Sequence, residues 1–496
     1  MDRAIYSKAT GKNKLTPITS EWMHSLMKSH HLIAGLISEH GSPINLHHLP
    51  SFQKNIEDYA KVFEDFALDA QIFFARKANK SKTLARAALD AGIGVDTASF
   101  KELQQALDAG GQKDSLVLTA AIKNQELIRL ALENDVLIII DNFDELKLVD
   151  THATALGKKC FVGVRLSGFH YNKEKLYSRF GFDIDRDLDE LKNWFKKHNP
   201  TTNLELNGFH FHLDGYSIEQ RGASALQSMK IISEFQQLGH DIRYLDIGGG
   251  ILMNYLESKN EWEDFQESLR QSVAGKNGPI TFRNNGLGYR ISEDTKKVVG
   301  NLETYPYYNE INSSQFLKAV LEYSDEQDRS VADHLKKLKI QVRIEPGRSL
   351  LNQVGVTIAK VAHRKQDAQG NWLVALEMNM SQLKSSSADF LLDPFVMYRD
   401  GSDSPEEIDL YFTGAYCLEQ DVILKRKLTF PKLPAVGDFI VFINTAGYMM
   451  HFYETEAHLF ELSKNLCIPN SKDRFEYSDI SEDDTLNQSI VAIPLR

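Results

Sequence analysis

Ile72-Phe73-Phe74-Ala75-Arg76-Lys77-Ala78-Asn79 decides how this chain is read. The apolar run Ile72–Ala75 suits a buried strand, and it ends in a basic pair followed by a helix-forming segment. A lysine at the end of an interior strand can lose its hydration, which lowers its pKa toward a usable amine nucleophile. A solvated strand-end lysine is the commoner case, so the surrounding sequence has to choose between the two.

Outward from this stretch, apolar strands alternate with helical patterns. The strands read as Ile72–Arg76, Ile93–Thr97, Leu116–Thr119, Val136–Ile140, Phe161–Leu166, Leu206–His212, Tyr244–Ile247 and Ile340–Ile344. Helical periodicity covers Ser81–Leu89, Phe100–Leu107, Asn124–Leu132, Asp144–Leu156, Leu188–Lys197 and Ile218–Leu238. Such alternation predicts a parallel sheet, either a closed (β/α)₈ barrel of the TIM type or an open doubly wound sheet. Polar or special residues at the strand ends favour the barrel: Lys77, Asp96, Asp141, Arg165, His212, Gly248-Gly249-Gly250 and Glu345. In a barrel these ends converge on one face, where active sites are built.

The flanks differ from this pattern. Residues 1–45 read as a segment packing with a C-terminal domain, and 46–350 as the barrel. Residues 351–496 read as a β-rich domain, a small barrel or sandwich, with strands Val354–Arg364, Trp372–Met378, Leu410–Thr413, Asp421–Leu428 and Phe439–Asn444. Gly370-Asn371 suits a hairpin turn. The tail is expected to re-enter at 490–493. An insertion at about 255–335 separates the last two barrel strands. It carries a helical stretch, Glu261–Val273, and the aromatic run Tyr305-Pro306-Tyr307-Tyr308. Either a lid over the active face or a surface excursion would account for it.

Composition excludes several classes. There are 57 basic and 68 acidic residues, a net charge of −11, which disfavours general nucleic-acid or anionic-membrane binding. No apolar run approaches the roughly 20 residues of a bilayer span. Cys160, Cys417 and Cys467 are too few and scattered for a disulfide framework or zinc site, so no metal is expected and cytoplasmic residence is the default.

A glycine turn after a strand lets backbone amides approach an anion. Gly248–Gly250 is such a turn, and Glu345-Pro346-Gly347-Arg348 adds a cation able to clamp phosphate. Lys77 and Glu345 lie on strands that a closed barrel makes adjacent. A lysine amine, a phosphate cradle and a carboxylate suit pyridoxal 5′-phosphate, whose ring nitrogen a carboxylate keeps protonated.

At this point the chain resembles the fold-type III, alanine racemase-like pyridoxal enzymes, on the diaminopimelate and ornithine decarboxylase branch. The motifs that carry the resemblance are Phe74–Asn79, Gly94–Ser99 with Glu102, Asp141–Leu146, Ser178–Gly181 and His210-Phe211-His212. Gly248–Gly250, Glu345–Arg348, Gly414–Cys417 with Asp421, and Ala446-Gly447-Tyr448 complete the set.

The resemblance implies that Lys77 carries the cofactor as a Schiff base, His212 stacks on its ring and Glu345 pairs with the ring nitrogen. Gly249, Gly250, Gly347, Arg348 and Tyr448 would hold the phosphate. Asp96, Glu102 and Arg165 would orient the lysine and the ring hydroxyl. Cys417, from the partner subunit of a homodimer, would reprotonate Cα. Three departures mark a divergent subgroup. Leu418 follows the cysteine where an acid is usual, with Glu419 one place on. Asp214-Gly215-Tyr216-Ser217 replaces a Gly-Ser, so the serine phosphate contact is lost or shifted to Ser217. The sequence after Tyr448 is also unusual. Glu419, Asp421, Arg283 and Arg290 are the candidates for reading the substrate. The expected activity is decarboxylation of a diaminopimelate-like, basic or conjugated amino acid. A racemase or epimerase on the same fold and a non-catalytic partner-binding homologue are the alternatives.

Overall fold

The computed structural model describes residues 6–196, 202–385, 390–399 and 407–483. The expected re-entry at 490–493 lies outside them. The described chain divides into two units. One takes Gln53–Leu252 and Ile311–Leu350, and the other takes Met253–Glu310 with the described parts of 1–52 and 351–488.

The first unit is a closed barrel of eight parallel strands: β1 (Ala70–Ala75), β2 (Gly94–Thr97), β3 (Leu116–Leu118), β4 (Leu137–Ile140), β5 (Cys160–Ser167), β6 (Leu204–His210), β7 (Tyr244–Asp246) and β8 (Gln341–Ile344). Each pairs with its successor. β8 pairs with β1 through Ile344↔Ile72, which closes the ring. All eight expected strands are present, with ends moved by one or two residues. The helices between them are α1 (Lys82–Asp90), α2 (Phe100–Asp108), α3 (Gln125–Glu133), α4 (Phe143–Leu156), α5 (Leu188–Trp194) and α6 (Ile218–Gln237). Ser81, Ser99, Asn124, Asn142 and Ser217 cap five of them, each side chain accepting a backbone N–H of the first turn.

Aromatic side chains fill the barrel interior. Phe73, Val117, Ile139 and Tyr244 form one buried cluster. Glycines on neighbouring strands make room for them. A Cβ at Gly94 would lie 2.4 Å from the Phe73 ring, and one at Gly208 2.4 Å from the Tyr244 ring. The Arg343 guanidinium lies 3.7 Å from the Tyr244 ring centroid, a cation–π contact.

The second unit is a β sheet organised on the long strand Gly355–Gln366. That strand pairs antiparallel with Phe439–Ile443, with Trp372–Leu376 and with Ile44–His48. The turn at 367–371 forms where Asp367 Oδ1 accepts the Gln369 and Asn371 amides and Gly370 takes φ +81°. Helices Glu21–Met27 and His30–His40 bury Trp22, Leu26, Ile33 and Leu36 against this sheet. The strand expected at Asp421–Leu428 does not form. Only Leu428–Phe430 is a strand there; Asp421 spends its carboxylate on the Tyr416 and Met380 amides, and Val422 and Arg426 make single bridges.

The excursion after β7 divides. Residues 253–310 build into the second unit, whereas α7 (Ser313–Glu322) and α8 (Val331–Leu338) return to pack on α6. The aromatic run is core: Tyr305 and Tyr307 are buried among Tyr255 and Trp262, and the Tyr307 hydroxyl accepts the Leu391 amide at 3.2 Å. That burial explains why an excursion should be so aromatic.

Candidate active site

The C-terminal strand ends of the barrel bring Lys77, Asp96, Thr119, Arg165, His210, His212, Asp246 and Glu345 to one face. Lys77 follows β1 in a 3-10 turn, Arg76–Ala78. Buried Arg76 clamps that turn by donating to the carbonyls of Asn79 and Lys80 and, at 3.0 Å, to Gln105 Oε1. The Arg-Lys pair therefore divides its work, with one cation inward as a brace and the next presented to the site.

Lys77 Nζ donates to Asp96 Oδ2 at 3.3 Å, and Thr119 Oγ1 donates to Asp96 Oδ1. Burial pushes the Asp96 pKa up to about 7, helped by Glu345 and opposed by Lys77 and Thr119. Glu345 is also buried, with its carboxylate 3.3 Å from His210 Nε2. Burial would raise its pKa, but His210, then Lys77 and His212, outweigh that and hold Glu345 below the usual carboxylate range. Burial lowers the pKa of His210 and raises that of Asp246 well above normal. The three groups have ligating atoms within 4.8 Å of one another, so their charges are set jointly: burial favours the neutral forms of His210 and Asp246, and the neighbouring cations favour the charged form of Glu345.

His212 is oriented by its neighbour: the Gly249 amide donates to Nδ1 at 3.2 Å, so the ring proton lies on Nε2. Burial, then Lys77, lowers its pKa well below normal and keeps it neutral. This corrects the role expected of Gly249, whose amide serves His212 rather than an anion. The Gly248 amide is likewise taken, by Asp246 Oδ1 at 2.8 Å. Among the described residues, the amides of Gly250 and Ile251 have no acceptor. A Cβ at Gly249 would lie 2.4 Å from the Glu345 carbonyl oxygen, so the turn admits only glycine there.

Arg165 lies 3.7 Å from Asp141 Oδ1, with the Phe180 ring centroid 4.4 Å from its guanidinium. Asp141 Oδ1 also accepts the Gly181 amide. Behind them, fully buried Lys123 donates to Glu145 Oε1 and Ala120 O, both at 2.8 Å, and Glu145 accepts the Asp141 amide. Sequence reading missed this pair; a lysine near a strand end followed by Asp-Asn-x-x-Glu was its only trace. Glu102, expected to orient the cofactor, spends Oε2 on the Ala98 amide as part of the α2 cap.

Ser217 does not inherit a phosphate contact. Its hydroxyl caps α6 by accepting the Gln220 amide and donates to Glu219. Ser349, beside Gly347 and Arg348, has a buried hydroxyl without a partner.

The remaining candidates belong to the second unit. Cys417 is exposed, and Leu418 beside it is 42% exposed. Asp421 is not open to substrate: its two oxygens accept the Met380 and Tyr416 amides at 2.8 and 2.7 Å and so fix the Gly414–Cys417 loop. Arg283 pairs with Glu419 at 2.7 Å, so each neutralises the other. Arg290 lies exposed on the short hairpin Arg290–Ile291 with Val298–Val299. Tyr448 takes φ +72°, a left-handed conformation that is strained for a bulky residue.

Residues 49–279 match the family described as the pyridoxal-binding domain of pyridoxal-dependent decarboxylases. Through that span the chain resembles this family. Beyond it the likeness extends along most of the chain. An uncharacterized protein, y4yA, of Sinorhizobium fredii is 28% identical over 87% of this chain and 88% of that protein. Diaminopimelate decarboxylase of Campylobacter jejuni is 22% identical over 86% and 92%. In three dimensions, diaminopimelate decarboxylase from Helicobacter pylori, solved with L-lysine, superposes with TM-score 0.64 at 20% identity, covering 91% and 95%. Arginine decarboxylase of Paramecium bursaria Chlorella virus gives 0.63 at 17%, covering 88% and 100%. The decarboxylase is thus a divergent pyridoxal 5′-phosphate-dependent carboxy-lyase.

The residues present fit the cofactor. Glu345 Oε1 is a buried carboxylate oxygen whose neighbour His210 Nε2, at 3.3 Å, makes no well-aligned hydrogen bond to it, so it can accept from a protonated ring nitrogen. The glycine turn excludes side chains and offers free amides, and the orphaned Ser349 hydroxyl follows Arg348 in the chain. Among the described residues, no helix is long and apolar enough to cross a membrane.

Proposed function

We propose that this chain decarboxylates an amino acid with Lys77 Nζ as the amine that tethers the cofactor. When bound, pyridoxal phosphate supplies a covalent handle for an amine and an electron sink for the bonding pair of the Cα–carboxylate bond. The chain supplies the rest. Asp96, with a pKa near neutrality, holds Lys77 Nζ and is poised to exchange a proton with it. His212, fixed in one tautomer, offers a neutral ring face. Glu345 stays ionised and keeps the ring nitrogen protonated, the condition for a strong sink. This ionised, donor-poor Glu345 on the strand beside Lys77 is the observation that carries the reading, and it disfavours a racemase, in which a weaker sink is the better match.

Exposed Cys417 suits a proton donor to Cα that acts across a homodimer, the partner subunit's Cys417 facing the Lys77 of its neighbour. The tethered Asp421 loop supports that placement. Relatives whose names specify diaminopimelate and arginine, and a structure solved with L-lysine, support a basic or diamino acid as substrate. The neutralised Arg283–Glu419 pair beside Leu418 favours a distal end of balanced or low charge over a bare ammonium.

The test is twofold. Purified protein should show the visible absorbance of a lysine-tethered cofactor, lost in Lys77→Ala. A panel of amino acids should then reveal stoichiometric CO₂ release from at least one. Inversion of an enantiomer without CO₂ would refute the decarboxylase reading.

A further inference from the structure

One buried cation on the active face has no role in the chemistry above. Arg221 lies in the first turns of α6 and is 2% exposed. Its Nη1 donates to the Ile247 carbonyl at 2.8 Å and its Nη2 to the Gly250 carbonyl at 3.4 Å, while Nε has no partner. Both carbonyls belong to the glycine turn. A Cβ at Gly250 would lie 2.7 Å from Nη2, so the guanidinium is packed against the turn itself. Among the described residues no carboxylate pairs with it, and burial draws its pKa down to about 10 with no acid opposing.

An unpaired buried charge is strongly unfavourable unless something of opposite sign arrives. Carbonyls alone give dipoles, not a counter-charge. In the same turn, the Gly250 and Ile251 amides lack acceptors among the described residues. The Ser217 hydroxyl, which might have served an anion there, is committed to the helix cap. The turn therefore combines a buried cation on its carbonyls with open amide donors.

Resting on the pyridoxal-phosphate reading, we propose that Arg221 is a positioning residue of the phosphate site. It holds the Ile247 and Gly250 carbonyls inward so that the Gly250 and Ile251 amides face the anion, and the phosphate dianion balances its charge. Arg348 then acts as one of two cations at the site.

The test uses full-length apoprotein with inorganic phosphate, pyridoxal 5′-phosphate and unphosphorylated pyridoxal as probes. Phosphate should raise the melting temperature of the wild type. Arg221→Met should weaken phosphate binding at least about tenfold, the scale of a charge-assisted contact. Its preference for the phosphorylated over the unphosphorylated aldehyde should fall by the same factor, and its unliganded melting temperature should hold or rise. Arg221→Lys, which keeps the charge, should retain most of the preference. A Met variant that melts earlier without phosphate yet keeps the wild-type preference would overturn the proposal and leave Arg221 a brace. If the Met variant does not fold, a Lys variant that folds and has lost the preference overturns it equally. Wild-type protein indifferent to all three probes would instead overturn the cofactor reading.

Discussion

Glu145→Ala tests how the buried frame beneath the site is held. Lys123 Nζ is fully buried and has two acceptors, Glu145 Oε1 and Ala120 O, each at 2.8 Å. Removing Glu145 leaves a buried ammonium with one carbonyl and also frees the Asp141 amide. Breaking one side of a buried ion pair costs about 3–5 kcal/mol, and an orphaned amide adds about 1–3. The net loss should be about 4–8 kcal/mol near neutral pH, a large part of the 5–15 kcal/mol typical of a folded domain. The loss should depend on pH. Burial already lowers the Lys123 pKa below its ordinary 10.5, and Glu145 is the main group opposing that shift. Without Glu145 the folded-state value drops further while the unfolded one stays. Between the two values the unfolded chain binds more protons, so the variant gains stability relative to wild type as pH rises toward 10.5, by at most about 1.4 kcal/mol per pH unit. Urea unfolding at neutral and alkaline pH measures both effects. A loss under about 1 kcal/mol, or one constant with pH, would refute the assignment of Lys123 as a charged, buried partner.

Asp96 carries a second pH signature. Its folded pKa, about 7, lies above its ordinary 3.8, so the apoprotein should lose stability as pH rises from about 4 to about 7. Asp96→Asn should flatten that fall in thermal melts across the range. Asp421→Ala leaves two buried amides, of Tyr416 and Met380, without acceptors; it should cost about 2–4 kcal/mol in chemical denaturation and change the alkylation rate of Cys417. If active sites are shared between subunits, mixing inactive Lys77→Ala with inactive Cys417→Ala should restore about a quarter of wild-type CO₂ release through hybrid dimers; no recovery after confirmed exchange would place both residues in one subunit.

Much of the architecture is written locally. Apolar runs ended by Lys77, Asp96, Arg165 and Glu345, with Ser or Asn caps before the helices, specify strands and helices through short-range sterics and hydrogen bonding. That is why eight strands were legible before any fold was known. The chemical types needed for a pyridoxal site were legible too, because a lysine, a carboxylate and a glycine turn at strand ends have few other joint uses. What a side chain is committed to was not legible, since that depends on partners far away in sequence. Asp421 and Ser217 look like available ligands in the sequence, yet one is taken by amides at 380 and 416 and the other by a helix turn. Gly249 looked like an anion donor until His212 Nδ1 claimed its amide. Arg221 and Lys123 look like ordinary helix and loop cations, and only packing strips them of water. Solvent exclusion and long-range pairing set charge, tautomer and available donors, so the sequence alone determined the scaffold and its chemical stock, and tertiary structure decided which groups remain free to act.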